Sequence, residues 1–297
     1  MTDEEIVALF DRCSNTRKWG ADDELGTLNY ITDAKRRAAA ALVKHGRSVS
    51  IGRDLSTVAD RLNADPLRHR MLFDATSPVS ALDSFEMATH GFAITHLDAI
   101  THVFWEGNTY NGRRSDELLR PDGLRSGSVY AQRNGIVTRG VLLDVTAVRG
   151  VPFLTPGEAV TAEDLTAAER LSGTEVTSGD AVFVHVGLER RESEQGTEDP
   201  SVRAGLDASC LPWLHEREVA VYSGDCVDQI PFPSKAVPLP LHQIGLVAMG
   251  LVLLDCPRLA ELVGVCAELG TPEFLLTAAP LRIPGGTGSP VNPLCLF

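Results

Sequence analysis

The sequence has no apolar run of about 18 residues, the length that a membrane-spanning helix needs. Basic residues are also few, since 27 lysines and arginines stand against 40 aspartates and glutamates and give a net charge of −13. A surface this acidic repels phosphate backbones and anionic lipids. We therefore expect neither a nucleic acid nor a membrane as a partner.

The six cysteines lack the spacing of a metal or disulfide motif. None of them forms a Cys-x-x-Cys pair, and no close spacing indicates a disulfide framework. They are interpreted as free and mostly buried thiols. Residues 1–5 are acidic where a secretory signal would be basic, so we expect a cytoplasmic protein.

Two motifs of common enzyme classes are missing as well. No Gly-x-Ser-x-Gly elbow occurs, which argues against a serine hydrolase. The glycine-rich run 285–289 has no lysine and no strand-to-helix context. It is interpreted as a structural turn rather than a phosphate-binding loop.

The hydrophobic pattern predicts a mixed α/β fold that is richer in strands than a doubly wound sheet. Helices are predicted at 3–13, 33–45, 161–171 and 241–250, with a short helical turn at 257–262. Strands are predicted at 48–54, 141–145, 181–186, 219–223, 251–254 and 274–281. Residues 57–80 are interpreted as a long irregular excursion, and residues 189–200 as a surface loop.

The strongest chemical signal lies in the run from Thr95 to His102. His96, Asp98 and His102 are separated by even numbers of residues, so their side chains share one face if the backbone is extended. Two imidazoles and one carboxylate suit zinc, manganese or iron and leave positions open for water and substrate. The alternative interpretation is a hydrogen-bonded His-x-Asp pair without a metal.

This run resembles the second half of the His-x-Gly-Thr-His-x-Asp-x-Pro-x-His signature of the metal-dependent cyclase family. That family includes bacterial kynurenine formamidases, isatin hydrolase and trans-dienelactone hydrolase. Further landmarks of the family follow in order at 19–29, 110–112, 179–180, 240–243, 255–262, 280–282 and 288–290. The chain looks most similar to a longer subgroup with an extra N-terminal region.

The resemblance implies a swivelling β/β/α-type fold. It implies one metal-binding domain over residues 48–297, preceded by an N-terminal helical arm over residues 1–47. It also implies a homo-oligomer, a dimer or a tetramer, in which N-terminal segments can cross between subunits.

The chain departs from the signature at its first histidine, which falls on Phe92. That histidine is a ligand in two-metal members of the family, so its loss favours one ion per chain, Mn²⁺ or Zn²⁺. His90 lies two residues earlier and has the same parity as His96. It is expected to replace the missing group in part, to contact substrate, or to have a structural role only.

The resemblance also implies a histidine and an acidic residue in the last third of the chain. His242 and Asp255 fall at these positions, with aspartate in place of the glutamate common in the family. His242 is expected to complete the metal shell or to donate to an oxyanion. Gln243 is a further candidate ligand because its amide oxygen suits a hard ion.

The function implied is hydrolysis of an amide or lactone bond in a small substrate, cyclic or open-chain, through a metal-activated water. His96 and Asp98 are the implied primary ligands, and His102 is a ligand or the general base. His90 or Asp255 would pass a proton to the leaving group.

Two alternatives keep the fold but change the activity. One is a non-hydrolytic cyclase or dehydratase of a biosynthetic pathway, in which the metal acts on a carbonyl and no water is consumed. The other is a catalytically idle protein that binds a small molecule and has lost the second metal together with the first signature histidine.

Overall fold

A nine-stranded mixed sheet forms the centre of the computed structural model, which describes residues 1–77 and 79–297. The strands are β1 Ser48–Ser50, β2 Arg68–Phe73, β3 Leu82–Glu86, β4 His96–Asp98, β5 Leu119–Arg120, β6 Gly123–Leu124, β7 Ile136–Asp144, β8 Ala159–Val160, β9 Ala181–His185, β10 Gly205–Leu206, β11 Val221–Gly224, β12 Val252–Asp255, β13 Glu273–Ala278, β14 Gly288–Pro290 and β15 Leu294–Leu296. The large sheet has the order β1-β15-β13-β7-β9-β11-β12-β4-β14, and the other strands form two-stranded pairs.

Helices cover the faces and ends of this sheet. The α-helices are α1 Asp3–Val7, α2 Leu9–Arg12, α3 Asp33–Ala40, α4 Ser115–Leu118, α5 Val145–Arg149, α6 Ala162–Ser172, α7 Leu188–Gln195, α8 Cys210–Glu216, α9 Pro240–Ile244 and α10 Ala260–Leu269. Short 3₁₀ turns lie at Gly26–Tyr30, Tyr110–Gly112 and Val129–Gln132, and one π-helical turn follows α9 at Gly245–Met249. Among the described residues, no helix is both long and apolar enough to cross a bilayer.

Four neighbouring parallel strands, β7, β9, β11 and β12, set the direction of the sheet. Every residue of β9, β11 and β12 is buried, as expected for parallel strands that are covered on both faces. β4 then pairs antiparallel with β12, and β14 pairs antiparallel with β4. The predicted mixed α/β fold is therefore confirmed.

Alternate side chains of the parallel strands pack into two apolar cores on opposite faces of the sheet. In β9, Val182 and Val184 belong to one core, and Ala181 and Phe183 belong to the other. The apolar side chains of these predicted strands therefore pack alternately into one core and the other.

The run 19–29 is a scaffold that fastens the N-terminal region to the sheet. Asp23 accepts hydrogen bonds from the backbone N–H of Gly26, the side-chain amide of Asn29 and the hydroxyl of Tyr110. A Cβ at Gly26 would lie 2.1 Å from the carbonyl oxygen of Gly250, so only glycine allows this approach. The proposed domain boundary between residues 47 and 48 stays a prediction.

Several predicted elements are wrong. Residues 68–73, within the predicted excursion 57–80, form a strand that pairs with β3 in an exposed hairpin; Pro78, in the same range, lies outside the described residues. The predicted loop 189–200 begins inside helix α7, and the predicted turn at 257–262 extends into helix α10. The solvent-exposed hairpin and α7 lack the hydrophobic alternation on which the prediction depends.

Candidate metal centre

A cavity of about 190 Å³ lies where the carboxyl end of β12 meets β4. One side of this cavity carries histidines and aspartates. The other side is apolar and is formed by Phe92, Val103, Val227, Ile230 and Leu239. No lysine or arginine lines it within the described part of the chain, so its charged groups are imidazoles and carboxylates.

Strands β4 and β12 bring three of the predicted residues together. In the antiparallel register Asp255 is opposite His96, so their side chains lie on the same face of the sheet. His96 and Asp98 share that face because they are two residues apart, and His96 Nε2 lies 3.5 Å from Asp98 Oδ1. All three residues are buried.

His102 also lies near Asp98, but not through the extended backbone that its even spacing predicted. β4 ends at Asp98, and the chain then turns, with the backbone N–H of His102 bonded to the carbonyl oxygen of Ala99. The extended-strand prediction is therefore wrong for His102. Its ring instead stacks on that of His90, with centroids 3.6 Å apart and planes within 4°.

His90 lies beside the central carboxylate. Its Nδ1 is 3.1 Å from Asp98 Oδ1, although the two atoms are not oriented for a hydrogen bond. Phe92, which occupies the position of the signature histidine, instead lines the cavity and carries the guanidinium of Arg203 at 4.1 Å from its ring centroid.

Three of the histidines have one ring nitrogen held by a neighbouring group, while the other nitrogen faces a carboxylate. The holding contacts are His96 Nδ1 with the Ile94 carbonyl oxygen at 2.8 Å, His242 Nδ1 with Asp228 Oδ2 at 2.5 Å, and His90 Nε2 with Thr287 Oγ1 at 3.0 Å. Such contacts fix the ring orientation and tautomer of metal-ligating histidines in proteins.

The glycine-rich run 285–289 packs against the ring of His90 and does not form a phosphate-binding loop. A Cβ at Gly288 would lie 2.6 Å from Cε1 of His90 and 2.9 Å from the carbonyl oxygen of Leu97. Only glycine at this position leaves room for the imidazole. The run begins in a turn, as predicted, and ends in strand β14. The roles of Thr287 and Gly288 beside His90 were missed, because no spacing rule links residues so far apart in sequence.

His242 stands between two carboxylates. Its Nε2 is 3.2 Å from Asp255 Oδ2 and 3.8 Å from Asp98 Oδ2, while Asp228 binds its Nδ1. Asp228 also accepts the backbone N–H of Leu241 at 2.6 Å, at the start of α9. Burial alone would lower the pKa of His242, but Asp228 and Asp255 raise it well above its usual value. Sequence reasoning missed Asp228.

The electrostatics centre on Asp98. Burial would raise the pKa of this carboxyl group, but the surrounding imidazoles outweigh burial and lower it. Burial lowers the pKa of His102 to about 4, so its ring is neutral near physiological pH and keeps a lone pair. A carboxylate surrounded by imidazoles is a typical ligand set for a divalent cation.

Gln243 points elsewhere. Its side-chain oxygen accepts the backbone N–H of Leu239 at 3.2 Å, one turn earlier at the start of α9. It is not one of the residues that line the cavity in the described part of the chain. The amide therefore bonds to the helix start and not to the carboxylate cluster.

The donor groups fit a metal ion. His90, Asp98 and His102 form one group, and His96, Asp98 and Asp255 form another; within each group the ligand atoms lie within 4.8 Å of one another. Both oxygens of Asp98, Nδ1 of His90 and Oδ1 of Asp255 are buried without a hydrogen-bond partner among the described residues. Because buried polar atoms are normally paired, these atoms indicate a cation site.

Comparisons with known proteins identify a family and related folds. The Cyclase family model matches residues 17–229. A crystal structure described as a novel cyclase is 26% identical, has a TM-score of 0.86, and matches over 97% of this chain and 99% of that chain. A search of curated proteins gave no significant match.

Two further solved structures share the fold at lower identity. Isatin hydrolase A from Ralstonia solanacearum is 22% identical, with a TM-score of 0.59 over 84% of this chain and 91% of that chain. A protein from Bacillus stearothermophilus, described as a predicted metal-dependent hydrolase, is 13% identical, with a TM-score of 0.52 over 84% and 97% of the two chains.

Proposed function

The chain belongs to the Cyclase family, and on that premise we propose that it is a metal-dependent hydrolase of a small amide or lactone. The observation that carries this proposal is the buried carboxylate of Asp98, which has no hydrogen-bond partner among the described residues and is surrounded by imidazoles. The shared fold with isatin hydrolase A is consistent with hydrolysis.

The proposed ligands are the two donor groups around Asp98. His96 and Asp98 are the primary pair, and His102, His90 and Asp255 supply the further donors. The expectation of one ion depended on Phe92 at the signature position. His90 brings a nitrogen to 3.1 Å from Asp98 Oδ1, so the residues around Asp98 would offer donors for a second ion as well as for the first.

A bound divalent cation would supply Lewis acidity and lower the pKa of a coordinated water toward about 7. The chain's own residues then position the reacting groups. Asp228 holds the Nδ1 proton of His242, so that Nε2 of this ring faces the cavity between Asp98 and Asp255. From there Nε2 would complete the donor set for the cation.

The cavity supports a small and largely apolar substrate. Its volume of about 190 Å³ is below the range of about 300–1,000 Å³ that is typical of drug-sized ligands. The apolar side, from Phe92 to Leu239, excludes water from the reacting bond. No lysine or arginine lines the cavity within the described residues, so a carboxylate on the substrate would meet the metal or the imidazoles.

The proposal is tested by the metal content of the purified protein, measured by elemental mass spectrometry, with Asp98→Ala beside the wild type. His45→Ala, which changes an exposed histidine far from the cavity, is the control. We expect one or two equivalents of zinc or manganese in the wild type and the control, and background metal in Asp98→Ala. A panel of amides, imides and lactones in oxygen-18 water then tests hydrolysis.

Full metal in Asp98→Ala would refute the ligand assignment. Turnover without oxygen-18 in the product would replace the hydrolase with the non-hydrolytic cyclase. Ligand binding without turnover, in a wild type that takes up no metal after reconstitution, would replace it with the binding protein.

We also propose that the chain forms a homo-oligomer. The exposed hairpin of β2 and β3 supports this, since five large apolar side chains on it are between 47% and 61% exposed: Met71 50%, Leu72 51%, Phe73 55%, Leu82 47% and Phe85 61%. Exposed apolar groups in such a cluster commonly mark an interface. Light scattering after size-exclusion chromatography tests the proposal, and a monomeric mass at micromolar concentration would contradict it.

A further inference from the structure

Three chain segments that carry proposed ligands are joined at one point beneath the cavity. The point is the pair formed by Thr95, which precedes His96, and Cys256, which follows Asp255. The ladder between β4 and β12 ends at the Asp255–His96 pair, so Thr95 and Cys256 are the first residues beyond it. Both residues are buried.

A side-chain hydrogen bond replaces the backbone ladder at this point. The hydroxyl of Thr95 donates to the carbonyl oxygen of Cys256 at 2.7 Å. The same hydroxyl oxygen accepts the backbone N–H of Arg53 at 2.9 Å, and Nε of Arg53 donates to the Cys256 carbonyl oxygen at 3.1 Å. The three groups form a closed hydrogen-bonded ring, which we call the Thr95–Cys256 clamp.

The backbone of Cys256 is held in an uncommon conformation. Its φ is 57°, in the left-handed region that residues other than glycine rarely adopt. Such conformations persist only where the surroundings hold them, and they cluster at functional sites. The left-handed conformation of Cys256 ends β12 directly after Asp255. The carboxylate of Asp255 therefore lies at the end of the strand, beside the cavity.

The clamp also contacts the third ligand-bearing segment. The thiol of Cys256 lies 3.6 Å from the carbonyl oxygen of Gly91, in hydrogen-bonding geometry. Gly91 lies between His90, which approaches Asp98, and Phe92, which lines the cavity. The segments that carry His90, His96 and Asp255 therefore meet at Cys256.

We propose that the Thr95–Cys256 clamp is a positioning device that fixes the spacing of the metal donors and thereby sets the affinity of the site. Arg53, Thr95 and Cys256 are not among the donor groups around Asp98; they act through the residues next to them. This inference rests on the proposed metal site. Groups that orient metal ligands typically change metal affinity by about 10–100-fold when they are removed.

The test measures zinc dissociation constants of the metal-free full-length protein by competition with a chelating dye. Thr95→Val removes the hydroxyl but keeps the shape of the side chain, and Thr95→Ser restores the hydroxyl. Thr138→Val is the matched control, because Thr138 is also buried and donates to a backbone carbonyl, that of Gly179, outside the metal site. Arg53→Met removes one donor of the clamp at a partly exposed position and serves if Thr95→Val does not fold.

We expect Thr95→Val to weaken zinc binding by about tenfold or more, and Arg53→Met to weaken it by a smaller factor. Thr95→Ser and Thr138→Val should bind zinc as the wild type does, although Thr138→Val unfolds at a lower temperature. The Co²⁺ absorption bands should shift in Thr95→Val alone, because they report ligand geometry.

Two results would overturn the clamp while the metal site stands. One is wild-type zinc affinity in both Thr95→Val and Arg53→Met. The other is an equal loss of affinity in Thr138→Val, which would show a general effect of stability. A wild-type protein that binds neither zinc nor Co²⁺ would overturn the proposed function and the clamp together.

Discussion

The contact between Asp228 and His242 leads to the sharpest prediction for the metal centre. Asp228→Asn keeps the size of the side chain but replaces one carboxylate oxygen by an amide N–H₂ group. In the wild type, one oxygen accepts from His242 Nδ1 at 2.5 Å and the other accepts the backbone N–H of Leu241 at 2.6 Å. An asparagine can satisfy only one of these two donors, because its other terminal group is a donor itself.

The two orientations of the new amide have different consequences, and both weaken the site. If the N–H₂ group faces His242, the ring must accept at Nδ1 and carry its proton on Nε2, the nitrogen that faces Asp98 and Asp255. If the amide is turned over, the N–H of Leu241 loses its acceptor in a buried place, at a cost of about 1–3 kcal/mol. We expect metal affinity to fall by about 10–100-fold, which corresponds to about 1.4–2.8 kcal/mol.

The measurement is a zinc titration of the metal-free protein, followed by the thermal unfolding midpoint with and without zinc. Asp225→Asn is a matched control, because Asp225 is also buried, lies 3.1 Å from Nδ1 of His185 and accepts backbone N–H groups. We expect Asp225→Asn to lose stability and to keep its zinc affinity. Unchanged zinc affinity in Asp228→Asn would refute the orienting role of Asp228.

Three further predictions follow from the structure. Gly288→Ala should displace His90 and lower metal affinity, whereas Gly264→Ala, in the open middle of α10, should leave it unchanged; equal affinities in a zinc titration would contradict this. Removal of metal by a chelator should lower the unfolding temperature, and excess zinc should restore it. Free zinc at 100 times its dissociation constant should raise the free energy of unfolding by about 2.7 kcal/mol, and a calorimetric scan without a shift would argue against a metal. Burial lowers the pKa of His185, but Asp225 outweighs burial and raises it, so the protonated ring stabilises the fold below about pH 6.5 and this contribution is lost as pH rises through the folded-state pKa. The excess free energy of unfolding of wild type over His185→Gln should therefore be larger at about pH 6 than at about pH 8.5, and a constant difference would refute the pairing.

Local sequence patterns predicted the parts of the structure that depend on neighbouring residues. The buried run 181–186 became β9 and the capped segment 161–171 became α6, because apolar periodicity and capping act within a few residues. The pair His96 and Asp98 was predicted on one face of a strand for the same reason.

Other parts depend on contacts between residues that are far apart in sequence. His90 takes its place beside Asp98 because Gly288 leaves room for its ring and Thr287 holds it, and no local pattern signals that approach. Asp228 lies in the loop after β11 and reaches His242 only because the fold brings this loop to the start of α9, and so it was missed.

The sequence by itself determined the mixed α/β class, the buried strands and the central His96–Asp98 pair, since these follow from periodicity along the chain. The tertiary structure decided which imidazoles and carboxylates meet at Asp98 and which side chains orient them. The reason is physical: a buried carboxylate is stabilised by the donors that the fold brings within a few ångströms of it, and the register of β4, β12 and β14 brings them there.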